Sequence, residues 1–106
     1  MRWIKARVGR TVRLLPIEDA QYFQSDEKYT RVVLEVSEVL IRKPMKELLS
    51  GLGPHQFWQI HRATVVNTRA IADAIRGARE QAALRLKSRT GTLTVSRNFT
   101  NLFRQM

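Results

Sequence analysis

Short stretches in which apolar and β-branched residues alternate with polar ones recur along this chain, separated by Gly, Pro and polar turn signals, and only one stretch carries a clear helical spacing. Strands at such short intervals, with few helices between them, point to a mostly β fold of small antiparallel sheets with one or two short helices. Trp3, Ile4, Ala6 and Val8 begin a strand, Gly9-Arg10 reads as a tight turn, and residues 11–15 return. Pro16 followed by Ile-Glu-Asp resembles the first turn of a short helix, with acids where the helix dipole favours them. After residues 20–24, a polar breaker at 25–28 precedes a strand over residues 30–36, and Ser37-Glu38 turns the chain into 39–42.

Pro44 suits the first position of a helix whose apolar residues Met45, Leu48, Leu49 and Leu52 fall at helical spacing until Gly51 and Gly53-Pro54 stop the pattern. From Phe57 the reading is strand, irregular segment, strand, running through Asn67 to Ile71, Ala74 and Ile75. Residues 82–87 and 93–95 flank Ser88-Arg89-Thr90-Gly91-Thr92, a hairpin with Gly near its tip. Ser96 is placed to cap a final helix from Arg97, with Phe99, Leu102 and Phe103 on its buried side. No internal repeat, low-complexity tract or linker interrupts the 106 residues, so one domain over 1–106 is expected.

Lys and Arg number 19 against 9 Asp and Glu, a formal charge of +10. With 43% hydrophobic residues a packed core is within reach, so this charge decorates a folded surface and is not a disordered tail. Its natural partners are phosphate backbones, anionic membrane surfaces or acidic proteins. Up to Gly53 there are ten bases and seven acids; beyond it, nine and two, so the excess is C-terminal. Fourteen of the bases are Arg, whose planar fork of donors suits phosphate or guanine edges, although a preference for Arg codons in a GC-rich genome explains the ratio equally well. The absence of Cys excludes disulfides, thiolate zinc sites and a Cys nucleophile, and fits a reducing cytoplasm. The N-terminal residues lack the apolar run of a signal peptide and no stretch approaches the roughly 20 apolar residues of a spanning helix, so no membrane partner is expected.

Catalytic patterns are missing. His55 and His61 lack a His-Glu-x-x-His frame or acidic partners, no Ser lies in a Gly-x-Ser-x-Gly elbow, and no Gly-rich phosphate loop with Lys-Ser/Thr occurs. No enzyme, metal or cofactor is expected. A helix-turn-helix is also unsupported, because one medium and one terminal helix do not make a helical trio. Recognition by loops is left, and three loops combine a base with short hydrogen-bonding side chains: residues 28–31, residues 61–64 and residues 96–98.

The segment Phe57-Trp58-Gln59-Ile60-His61-Arg62-Ala63-Thr64-Val65-Val66-Asn67 resembles the signature of the LytTR DNA-binding domain, in which Phe, two spacers, a hydrophobe, His-Arg-Ser, two apolar positions and Asn recur. Residues 17–25 are similar to that family's Asp-Ile-x-Tyr-Ile-Glu segment, Met45-Lys46-Glu47-Leu48 to its Leu-x-Glu-Leu helix, and Val95-Ser96-Arg97-Asn98 to its closing Val-Ser-Arg. Ala63 departs from the usual Ser, removing a hydroxyl contact or loop hydrogen bond, and Ala20 departs from the usual Ile, thinning the core.

The resemblance implies three small stacked sheets with marginal helices, and loops that enter successive major grooves of double-stranded DNA with contacts to the intervening minor groove. Carried over by motif, Thr30, Arg62 and Arg97 are expected near bases, and Lys28, Arg31 and Asn98 on phosphate. Tyr29 can replace the short Thr30 by packing on a thymine methyl or a sugar. His61 has two readings, a DNA contact or an organiser of its loop, and Asn67 is expected to hold backbone. The expected function is that of a bacterial, cytoplasmic transcription-factor module that binds promoter DNA as two copies on a repeated site, its receiver or sensory domain lying elsewhere. Two other readings stay open: a basic β-rich RNA-binding module, which needs exposed aromatics among Tyr22, Phe23, Phe57 and Trp58, and an interaction domain for acidic proteins.

Overall fold

The computed structural model describes residues 2–77 and 81–103. Strands β1 (Trp3–Val8) and β2 (Thr11–Pro16) form a hairpin in which Val8 lies opposite Thr11. Gly9 closes it at φ +60°, a left-handed conformation that a Cβ disfavours, so the Gly9-Arg10 turn rests on this glycine. A single 3-10 turn, Ile17–Asp19, leads to β3 (Tyr22–Asp26), β4 (Tyr29–Val33) and β5 (Glu38–Ile41), then to an α-helix, α1 (Met45–Gly51). Strands β6 (Phe57–His61) and β7 (Thr64–Asn67) follow, then a 3-10 turn at Thr68–Ala70, β8 (Ile71–Arg76), β9 (Ala82–Leu86), β10 (Thr92–Val95) and a 3-10 segment, Arg97–Phe103.

Three sheets result, with every pairing antiparallel: β1-β2, a five-stranded β5-β4-β3-β7-β6, and β10-β9-β8. The middle sheet is covered on both faces, and strand alternation sorts its side chains between two cores. Phe23, Val65 and Phe57 join Ile4, Ala6 and Leu15 of the hairpin and Met45 and Leu48 of α1 in the first core. Their immediate neighbours Tyr22, Val66 and Trp58 point the other way, joining Leu84 of β9 and Val95 of β10 in the second. The rings of Phe23 and Phe57 lie 5.8 Å apart, and Trp58 meets Phe103 edge-on at 5.5 Å. These four sheet aromatics are therefore packed: Phe23 and Phe57 are buried, and Tyr22 and Trp58 lie partly buried against the second core.

Asn67, at the end of β7, ties this arrangement together. Its side-chain NH₂ donates to the carbonyls of Ala20 at 2.9 Å and Glu18 at 3.2 Å, and its Oδ1 accepts from the Arg69 N–H at 3.0 Å. The expected backbone-holding role is what the geometry displays.

Local departures from expectation have local causes. The strand expected over 30–36 ends at Val33, because the Leu34 N–H turns back onto the Ser37 carbonyl at 2.7 Å and leaves Val36 92% exposed. Ser25 and Asp26, expected in a breaker, belong to β3, and only residues 27–28 form the turn. Pro44 precedes the helix in an extended conformation, φ −65° and ψ 151°, and its carbonyl accepts from Glu47 and Leu48. The closing segment is 3-10 and not α, the Ser96 carbonyl receives the Phe99 N–H, and Leu102 faces solvent because Phe99 and Phe103 take the buried side.

Candidate nucleic-acid interface

The three loops singled out above come together at one end of the five-stranded sheet, and main-chain hydrogen bonds put them there. Because β7 pairs with β3 as Gln24 opposite Thr64, the β6–β7 turn runs beside the end of β3, where the Ser25 N–H donates to the Ala63 carbonyl at 2.8 Å. The β3–β4 turn, with Lys28, follows directly. On the other side, the Ser96 N–H donates to the Ile60 carbonyl at 2.8 Å, so Arg97 and Asn98 start where β6 ends. Ile60 is the residue that the β6–β7 register skips, between Gln59 opposite Val65 and His61 opposite Thr64. That irregularity lets β6 bond to both neighbours while Ile60 fills the second core.

Lys28, Arg62, Arg97 and Asn98 are exposed, and Tyr29 is 41% exposed. Thr30 is not: it is fully buried, and its hydroxyl donates to the Lys43 carbonyl. The cause is strand parity, since Thr30 lies opposite Ile41 and two residues from Val32, on the face that packs the first core. Its expected place near bases is thereby corrected; Lys28 and Tyr29 are accessible here, as are the acids Asp26 and Glu27 beside them. Arg31, on the opposite face, spans the sheet, donating to Gln24 and standing 3.7 Å from the Glu38 carboxylate. Its charge is thus partly answered within the chain. His61 accepts at Nδ1 the N–H of Ala63, 3.1 Å away, so its ring braces the turn that carries Arg62.

Arg42 and Lys43 were not singled out from sequence, yet they belong to this end. β5 runs antiparallel to β4, with Ile41 opposite Thr30, which returns the chain after Ile41 to the β3–β4 turn. No local motif marks them; only the pairing does. Beside the β6–β7 turn lies a cleft of about 390 Å³ bordered by Ser25, His61, Thr64, Thr92 and Thr94, which offers hydroxyls next to the exposed bases. Among the described residues no helix is long and apolar enough to cross a membrane.

The chain belongs to the LytTr DNA-binding domain family, whose model matches residues 10–106. It is thus a DNA-binding domain. It is 39% identical over 69 residues to an uncharacterised response regulatory protein of Vibrio cholerae, covering 61% of this chain and 26% of that protein. It is 35% identical over 95 residues to the positive alginate biosynthesis regulatory protein of Pseudomonas aeruginosa, covering 89% of this chain and 38% of that one. The chain therefore spans well under half the length of these relatives. In fold it matches the LytTr DNA-binding domain of a Bacillus cereus protein with a TM-score of 0.87 at 18% identity, over 98% of this chain and 94% of the other.

Proposed function

We propose that this chain reads double-stranded promoter DNA through the loops gathered at one end of its central sheet, as the output domain of a bacterial response regulator acting in the cytoplasm. The observation that carries the reading is the convergence of Lys28, Arg62 and Arg97, exposed on three separate loops, in a member of a DNA-binding family. Arg62 and Arg97 are assigned to base edges, where a guanidinium can fork onto guanine. Lys28 and Asn98 are assigned to phosphate, Tyr29 to a thymine methyl or sugar, and Arg31 to a phosphate reached on release from Glu38. Thr30 is left out of the contact set and placed beneath it. The longest dimension of the molecule, 47 Å, exceeds one helical turn of DNA, about 34 Å, which favours contact with successive major grooves.

Two copies are assigned to a repeated site, and a receiver domain to the rest of the protein, in keeping with the response regulatory relative. The packing of Phe23, Phe57, Tyr22 and Trp58 argues against stacking of single-stranded RNA on this sheet. Site selection from random duplex DNA, with titration of the winner and a scrambled control across salt concentrations, tests the reading. An enriched repeat with halves about one helical turn apart, bound far more tightly than the scramble, supports it. Equal, salt-sensitive binding to every sequence overturns it.

A further inference from the structure

Between the β1–β2 hairpin and the outer strand of the central sheet runs a groove of about 710 Å³ whose charged lining consists of Lys5, Arg7 and Arg42, with Tyr29 and Leu40 between them. Alternation explains the lining. Lys5 and Arg7 stand between and beyond buried Ile4 and Ala6, and Leu40 and Arg42 flank buried Ile41, so each strand turns its solvent face to the groove. Among the described residues no acid borders it, and none of the three cations is paired with a carboxylate. Charged residues on exposed strand edges also discourage edge-to-edge aggregation, but either sign serves that purpose. Three cations with no acid call for an anionic partner.

We infer that this groove holds the phosphate backbone of the same duplex, beyond the stretch read by the loops. The inference rests on the duplex-binding reading and extends its footprint to the N-terminal hairpin. Two observations favour this occupant. Tyr29 borders the groove and directly follows Lys28 of the β3–β4 turn, so the groove adjoins the proposed reading surface. Lys5 and Arg7, two residues apart on an extended strand, are spaced by about 6.6–6.8 Å, comparable to the step between successive phosphates on one nucleic-acid strand. Both lie on β1, outside residues 10–106, the part matched by the family model. The groove grips without reading, because phosphates carry no sequence information.

The test compares the wild-type chain with the triple variant Lys5→Gln/Arg7→Gln/Arg42→Gln and with Arg97→Ala, by anisotropy titration of the selected and scrambled duplexes at several salt concentrations. A second set of duplexes is shortened pair by pair from each end. For the triple variant the expected salt slope is shallower by about 1 per lost phosphate contact, so about 3 in all. Its affinity falls equally on both sequences, and shortening the one flank that weakens the wild type leaves it unaffected. A triple variant with the wild-type slope and the wild-type response to shortening overturns the inference. So does a loss confined to the selected sequence. Should the triple variant melt early, Lys5→Gln/Arg7→Gln is read in the same way, with a slope shallower by about 2. A wild type that holds both duplexes alike removes sequence reading by the loops and leaves the groove to be judged by the slopes; a wild type that holds neither overturns both proposals.

Discussion

The hydroxyl of Thr30 donates to the main-chain carbonyl of Lys43 at 2.7 Å, joining the start of β4 to the segment that enters α1. This single bond anchors Lys43, and with it the neighbouring Arg42, beside the β3–β4 turn. Replacing Thr30 by Val keeps the shape but removes the donor, leaving a carbonyl without its partner at a part-buried site. The expected cost is about 1 kcal/mol in urea unfolding. Preference for selected over scrambled DNA is expected to stay at the wild-type ratio. A selective loss of the cognate duplex would mean that Thr30 touches a base after all.

Asn67 bears three hydrogen bonds within a side chain that is 2% exposed. Asn67→Ala strands the Ala20 carbonyl at a buried site, and the Glu18 carbonyl and the Arg69 N–H at part-buried ones. The expected destabilisation is about 2–4 kcal/mol. It should move the urea midpoint with the slope of the transition unchanged, as for a native-state loss.

Arg62 and Arg97 project from different loops and have no carboxylate partner among the described residues. If each forks onto a guanine, either Arg→Ala change is expected to weaken the selected site by about 1–3 kcal/mol and to relax the sequence preference. Stability should be unaltered, which thermal melting checks. Equal weakening on cognate and scrambled duplexes would reassign the residue to phosphate.

Asp73 on β8 and Arg85 on β9 form a two-pronged pair, with Nε to Oδ1 at 2.6 Å and Nη2 to Oδ2 at 2.5 Å. The hydrogen bonds from Arg85, aided by its charge, hold the Asp73 carboxyl below its ordinary value. The pair's contribution is therefore present above the unfolded carboxylate pKa, about 3.9, and is lost as pH falls through the lowered folded value. Melting curves of Asp73→Asn and wild type should differ slightly at neutral pH and converge in acid. The exposure of both side chains keeps the difference small, and added salt should shrink it further.

Much of the local structure was legible in order of residues alone. The alternation at Ile4, Ala6 and Val8, the turn at Gly9, the helical spacing of Met45, Leu48 and Leu52, and the Gly91 hairpin all express short-range rules. So does Asn67, whose short amide suits bonding to nearby backbone. Where expectation failed, a partner was missing or present out of sequence view. Val36 continues the β-branched pattern of β4, but no strand lies beside it, so the chain turns at Leu34. The helix from Arg97 winds as 3-10 while Phe103 reaches Trp58.

The sequence by itself determined which residues alternate, where the chain turns, that the surface is strongly basic, and, through the His61-Arg62 and Ser96-Arg97 segments, which loops carry the exposed cations. Only the tertiary structure decided which face of each strand meets which core. That choice buried Thr30 and exposed Tyr29, engaged Arg31 with Gln24 and Glu38, and gathered Lys5, Arg7 and Arg42 in one groove. The reason is physical: alternation fixes that neighbouring side chains point opposite ways, but a two-faced sheet assigns inside and outside only when its partners pack. The charges of a chain are written in its sequence, whereas their neighbours are set by antiparallel pairing between residues far apart along it.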